Sequence, residues 1–148
     1  MARGPLTDYE KYIRTEELLA LQKTQLSCHD ELQFQIVHQV AELWMKLVEH
    51  ELVHAALLMR QSQPSRALRS LHRVRGIMSL LQEQLSLLDT MAPNDYMTIR
   101  DSLGRGSGQE SPGFKRLLQL PEEIWPSFED LLRAYETMLR VIYENPDA

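Results

Sequence analysis

Two histidines one helical turn apart form the most conspicuous chemical pattern in the chain. The segment His50-Glu51-Leu52-Val53-His54 matches H-E-x-x-H, in which two imidazoles bind zinc and the glutamate acts as a base. A catalytic zinc needs a third protein ligand, and the histidine that follows is His72. Because this spacing also arises by chance in helical proteins, we expect a solvent-exposed pair, with a zinc hydrolase as the alternative.

His38 is a second candidate, because it lies on an apolar helical stripe one turn after Phe34. A neutral imidazole in a hydrophobic pocket can accept or relay a proton, which would make His38 a catalytic base. A core histidine whose ring nitrogens are hydrogen-bonded produces the same pattern. Periodicity alone favours the core histidine.

Tyr96 and Arg100 lie four residues apart on one face of a predicted short helix. A planar guanidinium beside an aromatic wall can bind a carboxylate through two parallel hydrogen bonds, and an ion pair with a surface carboxylate is the alternative. The next loop reads Gly104-Arg105-Gly106-Ser107-Gly108. Its glycines permit positive φ and close backbone approach to a ligand, with a plain connector as the alternative.

Cys28 is the one cysteine of the chain, so an internal disulfide is excluded. Its thiolate could bind iron beside His29, but a lone cysteine is more often a small buried apolar side chain. No N-terminal apolar run resembles a signal peptide or a membrane span. We therefore expect a cytoplasmic protein with no membrane contact.

The composition is that of a helical domain. The chain has 148 residues, 43% of them hydrophobic, which is enough for one core, and we expect residues 1–148 to form a single domain. The net charge of -5 offers no overall attraction to nucleic acid. A local basic group is expected to be a solvated helix face, and its members are Arg60, Arg66, Arg69, Arg73 and Arg75.

Hydrophobic periodicity predicts the elements that must position these residues. A capping box at Thr7 begins a first helix over about residues 7–23. Helices over about residues 30–60 and 66–88 predict two long antiparallel central helices. A short helix follows over residues 94–103, and a last one begins at Ser127 and stops at Asn145-Pro146. The predicted fold is an all-α bundle of about four to six helices.

Residues at three- and four-residue steps mark the faces that we expect to point inward. On the 30–60 helix they are Phe34, Val37, His38, Ala41, Trp44, Met45, Val48, Leu52 and Ala55, with Ile36, Val40, Leu43 and Leu47 on a neighbouring face. On the 66–88 helix they are Leu68, Leu71, Val74, Ile77, Met78, Leu81, Leu85 and Leu88. On the last helix they are Phe128, Leu131, Leu132, Tyr135, Met138, Leu139 and Ile142.

Several segments, taken in order, resemble tryptophan 2,3-dioxygenases. Residues 6–13 read LTDYEKYI, residues 30–39 read DELQFQIVHQ, and residues 42–46 read ELWMK. The similarity continues through LDTMAP, YMTIRD with Leu103-Gly104, and Ser107-Gly108 with Ser111. It extends over roughly residues 6–118, and the shared order argues against a chance match.

The resemblance implies an all-helical, usually tetrameric haem enzyme that inserts both atoms of O2 across the indole C2–C3 bond of L-tryptophan. It places His38 at the family's distal catalytic histidine, which hydrogen-bonds the indole N–H. Phe34 falls on the wall that packs against indole and haem. Arg100 matches the residue that binds the substrate carboxylate, with Tyr96 beside it. Ser107 and Gly108 match the loop that approaches haem and substrate.

Three further points of comparison with the family concern assembly and the haem site. Tyr9, Tyr12 and Ile13 match a segment that closes a neighbouring subunit's pocket, which implies a homo-oligomer, a dimer or tetramer, with shared sites. The family reads SGFQS where this chain reads SGQES at residues 107–111. The family's proximal histidine would follow Ala148, so the resemblance assigns no iron ligand here. A haem could then be held by an unexpected ligand of this chain, for which His29, His50, His54 and His72 are the spare imidazoles, or by a second chain that completes the site. The alternative is a haem-free binding, assembly or catalytic module.

Overall fold

Six α-helices and two short 3-10 helices make up the described part of the chain. The computed structural model describes residues 5–104 and 106–144, with side chains up to Met138. The α-helices are α1 (Asp8–Ile13), α2 (Thr15–Leu19), α3 (Glu31–Arg60), α4 (Pro64–Leu85), α5 (Pro93–Ser102) and α6 (Pro112–Glu144). The 3-10 helices are Ser86–Thr90 and Gly108–Glu110. These residues contain no strand, so the predicted all-α fold is confirmed. Among them, no helix is long and apolar enough to cross a bilayer.

The long helix α3 packs against both α4 and α6. Near its start, the side-chain amide of Gln84, at the end of α4, donates to the carbonyl of Val37 (3.1 Å). Near its end, Ala55 packs in a cluster with Ala67, close to the start of α4. The contacts thus pair opposite ends of the two helices. The predicted antiparallel pair of long central helices is confirmed.

Helix α6 runs parallel to α3. In its first turn, the backbone N–H of Gly113 donates to Glu42 Oε2 (3.0 Å), in the first half of α3. Farther along, Phe128 lines a cleft with Met59, at the end of α3. The core cluster between α3 and α4 consists of Ala41, Met45, Val48, Ile77 and Leu81, and Leu117 of α6 packs against it. Burial of these side chains is the main stabilising term of the bundle.

The predicted main stripe is confirmed on α3, but Ile36 and Leu43 on its neighbouring face are 42% and 49% exposed, so the predicted inward face is too wide there. It is also too wide on the other two long helices. Buried α3 residues recur at the predicted steps, and they are Val37, Ala41, Met45, Val48 and Ala55. The prediction is wrong for α4 at Leu68, Met78 and Leu85, and for α6 at Leu132, Tyr135 and Met138, all of which are 42–52% exposed. Two helices cover α3, whereas α4 and α6 each pack mainly against α3, so a narrower stripe of each is buried.

The N-terminal helix is shorter than predicted. The capping box is confirmed, because Thr7 Oγ1 accepts from the Glu10 N–H (3.2 Å) and Glu10 Oε2 accepts from the Thr7 N–H (2.7 Å). However, the left-handed backbone of Arg14 (φ 59°) ends α1 at Ile13, and α2 ends at Leu19. A helix of this length is not stable without packing, and α1 packs mainly on α2.

The last helix begins earlier than predicted, at Pro112 instead of Ser127. Ser111 caps it, since its Oγ accepts from the N–H of Phe114 (3.0 Å), and Pro112 suits the first helical position. Pro121 and Pro126 lie inside the helix, although proline usually ends one. Packing against α3 on both sides of these prolines keeps the segment helical. The predicted stop at Asn145-Pro146 lies outside the described residues.

An ion pair between a buried carboxylate and an exposed arginine joins α3 to α4. The side chain of Glu51 is 6% exposed and accepts a hydrogen bond from the guanidinium of Arg73. Burial by itself raises the pKa of Glu51, but the contacts with Arg73 and with the Ser70 hydroxyl, and the charge of His50, outweigh it and hold the pKa below its ordinary value. Glu51 is therefore a carboxylate at neutral pH.

This ion pair should make the free energy of unfolding depend on pH. The pKa of Glu51 is lower in the folded chain than its ordinary value of 4.5, so its contribution is complete above that value and is lost as the pH falls through the folded pKa. In urea unfolding followed by circular dichroism, Glu51→Gln should lose less stability than the native chain between pH 7 and about pH 3. Glu122→Gln, at an exposed site on α6, is the control and should lose as much as the native chain. An equal loss in Glu51→Gln would contradict the prediction.

Candidate functional site

A groove lies between α3, α4 and the start of α6. Its volume is about 740 Å³, and His38 and Gly108 both line it. The other lining residues are mostly apolar: Ala41, Glu42, Met45, Arg75, Met78, Ser79, Leu81, Gln82, Leu85, Ser111, Phe114, Leu117 and Leu118. The size lies within the range of pockets that bind small molecules and cofactors. The two site residues that the structure brings together here are 70 positions apart in sequence.

The position of the proton on His38 follows from its hydrogen bond. The ring atom Nδ1 lies 2.8 Å from the carbonyl oxygen of Phe34, one turn earlier on α3. A carbonyl oxygen only accepts, so Nδ1 donates. In the neutral ring, Nε2 then carries a lone pair and accepts. The ring also packs against Phe34, with centroids 4.0 Å apart. His38 thus combines a hydrogen bond to the backbone with an acceptor nitrogen at a groove wall.

Helix α5, which carries Tyr96 and Arg100, is attached to the start of α3. The backbone N–H of Asp30 donates to Asp95 (3.1 Å), and Asp30 in turn accepts from the N–H of Ala92 (2.7 Å). These two bonds join the N-terminal ends of α3 and α5. They hold the residues predicted to bind substrate at a set position relative to Phe34 and His38.

Arg100 holds the glycine-containing loop. Its Nη1 donates to the carbonyls of Gly104 (2.9 Å) and Gly106 (3.1 Å). Gly104 has a positive φ of 56°, so the expectation that this loop uses glycine's conformational freedom is confirmed there. Among the described residues, Arg100 forms no ion pair with a surface carboxylate, which was the alternative. Tyr96, one turn earlier, is 48% exposed, and neither side chain lines the groove.

Glu42 is a site residue that sequence reasoning missed. Its carboxylate accepts from the hydroxyl of Ser111 and from the backbone N–H of Gly113. These bonds attach the segment after Gly108 to the middle of α3. The one available signal was a carboxylate next to the buried stripe of a long helix, which predicts a partner but does not identify it.

The N-terminal residues Tyr9, Tyr12 and Ile13 lie on α1 and are 70%, 86% and 43% exposed. They do not line the groove of their own chain. Because α1 packs mainly on α2, these side chains face away from the bundle core. Ser107 lies just before Gly108, at the start of the second 3-10 helix, and is exposed.

The H-E-x-x-H pattern does not form a metal site. His50 and His54 are exposed, as expected, whereas Glu51 is buried against Arg73 and cannot serve as a base. Within the described ranges, no three His, Cys, Asp or Glu residues cluster as metal ligands would. Burial raises the pKa of the Cys28 thiol, and so does the nearby Asp95 carboxylate. A protonated thiol is a poor iron ligand.

The chain is similar in sequence to known proteins of one family. The family model described as tryptophan 2,3-dioxygenase matches residues 2–120. A tryptophan 2,3-dioxygenase of Shewanella woodyi is 38% identical over 109 residues, which cover 74% of this chain and 38% of the relative. That of Bacillus cereus is 38% identical over 123 residues, covering 79% and 44%. That of Caulobacter vibrioides is 35% identical over 141 residues, covering 93% and 54%. The chain therefore spans about half the length of these relatives, and it belongs to the tryptophan 2,3-dioxygenase family.

Proposed function

We propose that this chain provides the distal, substrate-facing part of a dioxygenase site for L-tryptophan or a related indole amino acid. The observation that supports it best is His38, whose bond to the Phe34 carbonyl directs the ring proton to Nδ1 and leaves Nε2 as an acceptor at the groove. An indole N–H is a donor without acceptor capacity, so it complements that nitrogen. The names of the relatives point to the same substrate class.

The remaining substrate contacts are assigned on the same basis. Phe34, stacked on His38, offers an apolar surface for the indole ring. Arg100 uses Nη1 for the loop carbonyls, and its other nitrogens have no partner among the described residues, so they can bind a carboxylate. Tyr96, one turn away on α5, provides the aromatic wall. A zwitterionic indole amino acid needs one such acceptor, one apolar slot and one cation.

The groove also fits a haem. Its volume and its mainly apolar lining suit a flat, apolar macrocycle, and we assign Gly108, which lines the groove, to its surroundings. We also assign Phe34 and Ser107, which are outside the lining but next to His38 and Gly108. A bound haem would supply the iron at which O2 reacts. His38 is the one imidazole among the described groove residues, and it is assigned to the substrate. If haem is bound here, its iron ligand would come from outside this groove, and we propose a second chain as its source.

We further propose that copies of the chain assemble as a homo-oligomer through α1. Tyr9, Tyr12 and Ile13 expose apolar surface on a helix that packs mainly on α2. Burial of this surface against the groove of a neighbouring copy would exclude water from the indole site. The alternative of a haem-free module is not favoured, because the matched relatives are named as dioxygenases.

The test is a visible absorption spectrum of protein expressed with added haem, titrated with L-tryptophan. We expect a Soret band that shifts on titration, and His38→Ala should weaken tryptophan binding roughly tenfold, the effect of one buried hydrogen bond. Tryptophan methylated on the indole nitrogen should bind the native chain about as weakly as tryptophan binds His38→Ala. The methylated compound should bind His38→Ala and the native chain with the same affinity, because the hydrogen bond is absent in both cases.

His54→Ala replaces an exposed histidine of the same helix and serves as the control. It should keep the native affinity for tryptophan. A tryptophan affinity in His38→Ala equal to that of the native chain would overturn the proposal for the indole site. Absence of a Soret band would overturn the assignment of haem to the groove of this chain alone.

A further inference from the structure

One face of α4 forms a wall of the groove and changes from polar to apolar along its length. Its groove residues are Arg75, Met78, Ser79, Leu81, Gln82 and Leu85, which recur at the spacing of one helix face. From Arg75 to Leu85 this wall is about 15 Å long. Arg75 and Ser79 form the polar end, and they also line an adjoining depression with His72 and Gly76.

Arg75 is a cation whose guanidinium has no partner among the described residues. Its guanidinium is exposed and has no hydrogen bond or ion pair within the described part of the chain. Of the nearby arginines, Arg73 binds Glu51 and Arg66 binds Gln63, whereas Arg69 has no such partner among the described residues but lies outside the groove. The carboxylate across the groove, Glu42, is occupied by Ser111 and Gly113. Both donors are neutral, and Glu42 forms no ion pair with Arg75 among the described residues, so the guanidinium at this end of the groove is available to an anionic group.

The antiparallel packing places Arg75 and His38 at opposite ends of the groove. Gln84 at the end of α4 bonds to Val37, beside His38, whereas Arg73 bonds to Glu51 farther along α3. An occupant that reaches from His38 to Arg75 must have a long apolar body with an anionic group at one end. One indole ring leaves most of this length unfilled.

We infer that the guanidinium of Arg75 forms a carboxylate subsite for a flat apolar dicarboxylate of the tetrapyrrole class. The neighbouring Ser79 hydroxyl donates to the backbone carbonyl of Arg75 (3.2 Å). This inference rests on the proposed function, because it identifies how the groove would hold such a cofactor. The guanidinium binds a carboxylate side by side through two hydrogen bonds, and Met78, Leu81 and Leu85 cover the apolar body. The second carboxylate faces solvent.

The test uses metal-free protoporphyrin IX, whose binding needs no iron ligand, followed by its fluorescence and by quenching of the tryptophan fluorescence of the chain. We expect Arg75→Gln to weaken binding about tenfold, and Arg75→Lys to weaken it less. Arg69→Gln replaces an exposed arginine of α4 outside the groove and should stay within about twofold of the native affinity. The loss should shrink at about 1 M salt.

The dimethyl ester of the porphyrin tests the same contact without a mutation. It should bind the native chain about as weakly as the free acid binds Arg75→Gln, and it should not distinguish the two proteins. Equal binding of the free acid by the native chain and Arg75→Gln overturns the subsite and leaves the role of His38 intact. No porphyrin binding by the native chain overturns the subsite as well. If the porphyrin binds the native chain more tightly than Arg75→Gln, but tryptophan does not bind, the subsite stands and only the proposed function is overturned.

Discussion

Replacing Leu120 by alanine should lower the free energy of unfolding by about 2–5 kcal/mol. Leu120 lies in α6, and its side chain is 0% exposed. Truncation removes buried apolar surface and leaves a cavity that close-packed helices fill only in part. Urea unfolding followed by circular dichroism should show a lower midpoint with an unchanged slope.

Leu118→Ala is the matched control for this prediction, because Leu118 lies two residues earlier on the same helix and is 64% exposed. It should change the free energy of unfolding by about 0.5 kcal/mol or less. If both variants lose the same stability, α6 does not pack on α3 through the face that contains Leu120.

Gly113→Ala should destabilise the chain by about 1–3 kcal/mol through overpacking. A Cβ at Gly113 would lie 2.7 Å from Glu42 Oε2 and 2.9 Å from Met45 Cβ. The carboxylate cannot simply rotate away, since Ser111 and the Gly113 N–H both bond to it. The Met45 Cβ is attached directly to the backbone of α3. The first turn of α6 must therefore move away from α3.

Gly76→Ala should raise the free energy of unfolding, whereas Gly113→Ala should lower it, so Gly76→Ala is a sensitive control. A Cβ at Gly76 meets no atom within 4 Å, and the residue lies inside α4 without a positive φ. Alanine there reduces the backbone freedom of the unfolded chain and should stabilise the fold by about 0.5–1 kcal/mol. The same unfolding experiment measures both variants. Destabilisation by Gly76→Ala, or none by Gly113→Ala, would contradict the close contact at the start of α6.

Local patterns were sufficient for the central helix. The predicted helix over residues 30–60 corresponds to α3 at Glu31–Arg60, because a long apolar periodicity is itself the cause of burial between two other helices. They were insufficient for α6, where Pro121 and Pro126 argue against a helix that tertiary packing nevertheless maintains. They also overestimated the length of the first helix, because α1 packs mainly on the short helix α2 and gains little support from the bundle.

The candidate site also contains residues that the sequence identified and residues that only the structure revealed. His38, Phe34, Tyr96 and Arg100 were identified from short segments in a shared order, which are properties of the chain alone. The roles of Glu42 and Arg75 were not, since an acidic or basic residue at a helix surface has the same local pattern whether or not it faces a groove. Their roles depend on the packing of α4 and α6 against α3, which forms the groove that both residues line.

By itself, the sequence determined the all-α class, the α3–α4 pair, the family and most of the candidate substrate residues, because periodicity and segment order are local. The tertiary structure alone decided that His38 and Gly108 share one groove, that Glu42 holds the start of α6, and that Arg75 lies at the far end of that groove. These contacts join residues far apart in the chain, and their approach depends on how three helices pack, which no local pattern specifies.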